Sequence, residues 1–94
     1  MNCVIYVRDS MEVSIYEQWN KCSQYAKRFG YSIADKVLDF DGSRFHEAVD
    51  KAVFNDDIGC MIVYDSKCIG NFEDNLFYRI YLNKFNKKLL FCNS

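Results

Sequence analysis

Apolar residues along this chain follow two alternating rhythms. Cys3 to Val7 is an unbroken β-branched and aromatic run, the pattern of a strand buried on both faces of a parallel sheet, and it ends at Arg8. Ser14-Ile15-Tyr16-Glu17 then reads as a capping box. It opens a helix whose apolar stripe is Ile15, Trp19, Cys22, Ala26 and Phe29, with Gly30 as its stop. Ile33 to Phe40 returns to strand-forming residues. Asp41-Gly42-Ser43 supplies a turn and a helix N-cap ahead of Phe45, Ala48, Val49, Ala52 and Val53 at helical spacing. After the break at Asn55-Asp56-Asp57, Ile58 to Tyr64 is a third apolar run, expected at the centre of the sheet. Gly70-Asn71 begins a last helix with Phe72, Leu76, Phe77 and Ile80 expected to face inward, and Leu89 to Cys92 forms a final short strand.

Strands alternating with helices of this length imply right-handed crossovers and a mainly parallel sheet covered on both faces. The expected fold is a single three-layer α/β domain over residues 1–94, with four strands in βαβαβαβ order. Val4, Ile5, Ile62, Val63, Leu90 and Trp19 are expected in its core. No Pro, repeat or low-complexity linker interrupts the pattern.

Composition narrows the picture. A chain of 94 residues, half of them apolar, can build one core, and its 8 Phe, 7 Tyr and single Trp argue against disorder. The net charge of −1 and a pI near 5.7 lack the basic excess of a protein that grips phosphates by itself, so DNA contact is expected to be weak or indirect. Lys27-Arg28 and Lys84, Lys87 and Lys88 read as solvated faces. Five cysteines without CxxC spacing point to a reducing, cytoplasmic compartment and give no zinc site. No signal peptide is expected, because no basic stretch followed by a long apolar one opens the chain, and no membrane span, because fully apolar stretches such as Cys60 to Tyr64 are far too short.

In an open parallel sheet, ligands gather at the carboxyl ends of the strands, near the switch in strand order. That selects Arg8-Asp9-Ser10, Asp41-Gly42-Ser43-Arg44, Asp65-Ser66-Lys67-Cys68 and Asn93-Ser94. A serine two residues from an arginine suits phosphoryl chemistry, where an attacking oxygen needs positioning and the transferring phosphate needs positive charge. The only histidine, His46, falls inside a helix and suits an exposed first-turn position better than a catalytic triad. The four glycines never cluster into a phosphate loop, and no cofactor or metal is implied.

The run Val4-Ile5-Tyr6-Val7-Arg8-Asp9-Ser10 resembles the opening strand, I-Y-x-R-V-S, of resolvase/invertase-type serine recombinases. Ser14-Ile15-Tyr16-Glu17-Gln18 is similar to that family's S-I-x-x-Q, and Cys22 to Tyr31 to its C-x-x-Y-A-x-x-x-G-Y. Ser43-Arg44 opens the second helix where the family carries an arginine. The resemblance implies an N-terminal catalytic domain in which Ser10 is the nucleophile toward a DNA phosphate, with Arg8 and Arg44 beside it and Gln18 and Lys67 in support.

It also implies an impaired site. Aligned on Val63-Tyr64, the family's L-D-R-L-x-R signature places its Asp on Lys67 and its two arginines on Cys68 and Asn71. The long dimerisation helix and DNA-binding region of a family member are likewise not expected here. The reading that follows is a regulator or partner of a full-length recombinase, docking on it or self-associating through the aromatic third helix. The alternatives are an active strand-exchange domain using Ser10, and a flavodoxin- or receiver-like binding module suggested by Asp9 and Asp65.

Overall fold

The computed structural model describes residues 1–10 and 12–93. The elements are β1 (Asn2–Arg8), α1 (Ile15–Arg28), β2 (Ser32–Asp39), α2 (Phe45–Val53), β3 (Ile58–Val63), a single 3-10 turn (Ser66–Cys68), α3 (Phe72–Lys84) and β4 (Lys88–Phe91). All strand pairs are parallel, in the order β2-β1-β3-β4. The step from β1 to β2 runs one way across the sheet, and the steps from β2 to β3 and from β3 to β4 run the other. Right-handed crossovers therefore put α1 on one face and α2 and α3 on the other. The edge-to-face contact of Phe45 in α2 with Tyr78 in α3, centroids 4.6 Å apart, fits that arrangement.

The central strands carry the core. Cys3 to Val7 and Cys60 to Val63 are fully buried, because both faces of β1 and β3 are covered by helices. Edge position changes two expectations. Leu90, on β4, is only partly buried, and so is Trp19, which packs against the core while Lys36 lies over its ring at 5.3 Å. The residue beside Trp19, Gln18, is the one fully buried.

Helix ends follow local chemistry. The Ser14 side chain accepts from the Glu17 amide to start α1. Gly30, at φ +76°, ends it, with the Tyr31 amide donating back to the Ala26 carbonyl at 2.8 Å. Asn86, at φ 62°, plays the same part after α3, where the Lys87 amide reaches the Leu82 carbonyl.

Three expectations are corrected. The N-cap of α2 is Arg44 and not Ser43, whose hydroxyl instead donates to Asp41; the Arg44 amide is satisfied by the Asp39 carboxylate at 2.9 Å. Lys87 is no solvated cation, because its ammonium donates to the carbonyls of Asn55 and Ile58 and joins the start of β4 to that of β3.

Helix α3, thirdly, turns the opposite face inward. Phe72, Leu76, Phe77 and Ile80 are exposed, whereas Tyr78, Tyr81 and the fully buried Leu82 pack on the sheet side. The helix has apolar residues on both faces, so periodicity alone does not choose between them. Asn75 decides: its amide nitrogen donates to the carbonyls of Ser66, Gly70 and Asn71, which pulls its own face toward the preceding turn. No helix among the described residues is long and apolar enough to cross a membrane.

Candidate functional site

The switch in strand order falls between β1 and β3, and a cavity of about 240 Å³ opens there at their carboxyl ends. One wall is Arg8, Asp9 and Ser10 as the chain leaves β1. The other is Tyr64, Asp65, Lys67 and Cys68 as it leaves β3, with Glu12, Val13 and Gln18 closing the third side.

Gln18 organises the first wall from the helix side. Its carboxamide oxygen accepts from the Arg8 amide at 3.0 Å, and its nitrogen donates to the carbonyls of Arg8 at 2.5 Å and Val13 at 2.9 Å. A buried amide side chain needs its donors and acceptor filled, and here each is. Arg8 and Val13 are thereby held against the helix, and Ser10 is exposed to solvent, its hydroxyl oxygen accepting from the Glu12 amide at 3.2 Å.

On the opposite wall Asp65 caps the 3-10 turn by accepting from the Lys67 amide, which orients Lys67 toward Glu12 with their charged atoms 3.5 Å apart. The Cys68 thiol is buried, 3.7 Å from both the Gln18 carboxamide oxygen and the Asp65 carboxylate. Burial pushes that thiol above its usual range, so it stands as a neutral S–H and not as a nucleophile.

The Arg8 guanidinium reaches sideways toward the turn after β2. A methyl group placed on Gly42 would fall 2.5 Å from it and make it shift, and Gly42 also holds φ at +84°, a conformation that favours glycine. The turn itself is built on Asp39, a buried carboxylate that the sequence reading did not single out. It accepts from the Tyr6 hydroxyl at 2.6 Å and from the amides of Asp41, Gly42 and Arg44. Burial opposes its charge, but the Tyr6 hydrogen bond and the three amides outweigh burial and hold the carboxyl below its ordinary range. Tyr6 is pushed up in turn, by burial first and by Asp39 second. An aspartate three residues before a glycine in a turn was the available signal for this anchor.

Of the expected site residues, Arg8, Ser10, Gln18 and Lys67 share the cavity, and Cys68 lines it where the resemblance places an arginine. Arg44 stands on the neighbouring turn, outside that lining, with its guanidinium donating to the Leu38 carbonyl and to Glu47. Asn71 caps α3 through a reciprocal pair with Asp74 and lies off the cavity as well. His46 is exposed, 3.6 Å from Asp50. In the last candidate segment Ser94 lies outside the described residues. No grouping of three or more potential metal ligands occurs among the described residues.

No protein-family model and no curated protein sequence matches this chain. Solved structures do. The N-terminal catalytic domain of TP901-1 integrase superposes with a TM-score of 0.81 at 20% identity, over 98% of this chain and 77% of that one. The C-terminal catalytic domain of ISC1926 TnpA, an IS607-like serine recombinase, gives 0.76 at 16% identity over 100% and 71%. That of IS1535 TnpA, another IS607-like serine recombinase, gives 0.74 at 12% over 98% and 71%. At such identities the likeness speaks for architecture alone: the chain has the serine-recombinase catalytic-domain fold.

Proposed function

We propose that this protein serves site-specific DNA recombination through a catalytic-type domain impaired in strand cleavage, acting on a serine recombinase as a regulator or partner. The link to recombination is supported by the fold it shares with an integrase and two serine recombinases.

The impairment rests on the charge around Ser10. A phosphoryl group in flight spreads negative charge over its oxygens, and enzymes meet it with cations and aimed donors. The residues lining this cavity include two cationic ones, Arg8 and Lys67, and three acidic ones, Asp9, Glu12 and Asp65, so the lining carries one more negative charge than positive, and the Arg8 guanidinium is turned toward Gly42. Arg44 is engaged with Glu47 and the Leu38 carbonyl, Cys68 is a neutral thiol, and Asn71 is committed to its helix cap. Loss of one arginine of this kind costs phosphoryl transfer about 10³- to 10⁵-fold in other enzymes. Lys67 is a poor substitute, because an ammonium lacks the planar fork that grips two phosphate oxygens.

A partner-directed role is supported by the outer face of α3. Phe72, Leu76, Phe77 and Ile80 form a stripe at helical spacing, 49–79% exposed, which invites cover by another protein or a second copy.

The competing reading, an active domain, draws on the exposure of Ser10 and its place in one lining with Arg8. A suicide assay with nicked recombination-site DNA separates the two. We expect no covalent adduct, and we expect altered recombination when the protein is added to a full-length serine recombinase from the same genome. An adduct that disappears in Ser10→Ala overturns the impaired reading, and an unaltered reaction overturns the regulatory one.

A further inference from the structure

Two cysteines meet away from the cavity. Cys22, on the sheet side of α1, places its Sγ 3.4 Å from that of Cys92, just past β4, although 70 positions separate them in the chain. Both are free thiols, Cys22 fully buried and Cys92 partly exposed. Their backbones are fixed, one in the middle of a 14-residue helix, the other by the amides of Cys92 and Asn93 donating to the carbonyls of Val63 and Tyr64. A disulfide requires sulfurs about 2.05 Å apart, so the bond needs an approach of little more than 1 Å, roughly what a modest rotation about the side-chain bonds provides.

The two thiols are also unequal. The contact with Cys22 holds the Cys92 thiol below its usual range in spite of burial, while the same contact, together with burial, pushes Cys22 up. The partly exposed Cys92 is the one an oxidant reaches first, and the fully buried Cys22 beside it is placed as the resolving thiol.

We propose that Cys22 and Cys92 form a reversible intramolecular disulfide that fastens α1 to the carboxyl end of β4. The oxidant is a peroxide. The Cys92 thiolate attacks one peroxide oxygen, the O–O bond breaks, and the departing hydroxide takes up a proton to leave as water. Cys22 sulfur then attacks the sulfenic acid at Cys92, the S–O bond breaks, and the Cys22 proton leaves with the second water. Two thiols and one hydrogen peroxide thus give one disulfide and two waters, and excess low-molecular-weight thiol reverses the bond by exchange.

The bridge would begin one helical turn after Gln18, so it restrains the helix that backs the cavity. Its formation does not depend on the proposed function. Cys3 and Cys60, register partners in β1 and β3, supply an internal comparison: both are fully buried by strands and helices and should stay reduced.

The purified full chain is treated with hydrogen peroxide, alkylated, digested without reduction and mapped by mass spectrometry. We expect a monomer lighter by about 2 Da, a linked pair of peptides carrying Cys22 and Cys92, and reversal by dithiothreitol. We expect no such link in Cys92→Ser or Cys92→Ala, each first checked for an unchanged circular dichroism spectrum. The oxidised protein should melt at least about 10 °C higher, because the bond closes a long loop in the unfolded chain. Alkylation of both cysteines after oxidation, a dominant Cys3–Cys60 link, intermolecular bridges alone, or over-oxidation of Cys92 with no link would each overturn the proposal.

Discussion

The carboxamide of Gln18 meets the Arg8 main chain as another peptide unit would, donating to its carbonyl and accepting from its amide. Replacing Gln18 by Leu keeps the apolar volume but strands those two groups and the Val13 carbonyl. An unfilled buried polar group costs about 1–3 kcal/mol, so Gln18→Leu should lower stability by at least that much in urea titration, and it should loosen the chain that carries Ser10. Asp39 does comparable work on the neighbouring turn, with a charge. Because its carboxyl is held below the ordinary range, its contribution is complete above the unfolded value, about pH 4, and drains away as pH falls through the folded value. The urea midpoint of the native protein should therefore drop between pH 5 and about pH 3, and by less in Asp39→Asn. An equal drop in both would assign the acid sensitivity to other groups, such as Asp35, which its partner Lys51 also holds low. The two residues differed in how visible they were. Gln18 stood out only through a resemblance of motif, since nothing in its spacing announces a fully buried amide. Asp39 is hard to single out because an acidic residue at a strand end ordinarily marks the start of solvent.

At the scale of elements, β1, α1 and β3 were readable because each carries one unambiguous pattern: a continuous apolar run for a doubly covered strand, or one stripe with a cap at each end. Helix α3 was readable as a helix but not in its orientation. Its two apolar stripes, one through Phe72, Leu76 and Ile80 and the other through Tyr78 and Leu82, satisfy the same period, and the deciding contacts of Asn75 are to carbonyls outside the helix. The assignment is testable by contrast. Leu82→Ala removes a fully buried side chain and should cost about 2–5 kcal/mol, whereas Phe72→Ser, on the exposed stripe, should stay within about 0.5 kcal/mol. The reverse order in chemical denaturation would mean that the helix packs through its other face. The candidate site divided along similar lines. Arg8 and Ser10 leave a central strand whose end the topology fixes, and they line one cavity with Lys67 and Cys68. Arg44 leaves an edge strand and is drawn off by Glu47, one turn along α2, a local partner whose pull sequence spacing alone did not weigh against the cavity.

For the whole molecule the deciding quantity is charge. With a net −1 the protein has no long-range pull on a polyanion, and its cavity opposes one locally, since three carboxylates outnumber two cations. Binding to duplex DNA should accordingly be weak and nearly independent of salt, because few counterions are released when few phosphates are neutralised. The same reasoning identifies what would change it. Asp9→Asn together with Glu12→Gln removes two of the three carboxylates, leaving Arg8 and Lys67 against Asp65, and it frees Lys67 from the Glu12 oxygen 3.5 Å away. Both positions are exposed, so the fold should tolerate the pair. Fluorescence anisotropy with a labelled duplex at low salt should then show a several-fold gain in affinity, and the slope of log affinity against log salt should steepen by about one unit, as each newly engaged phosphate requires. Unchanged affinity and slope would mean that repulsion at the cavity is not what keeps DNA away, and the shape of the shallow strand-end cavity would become the limiting factor.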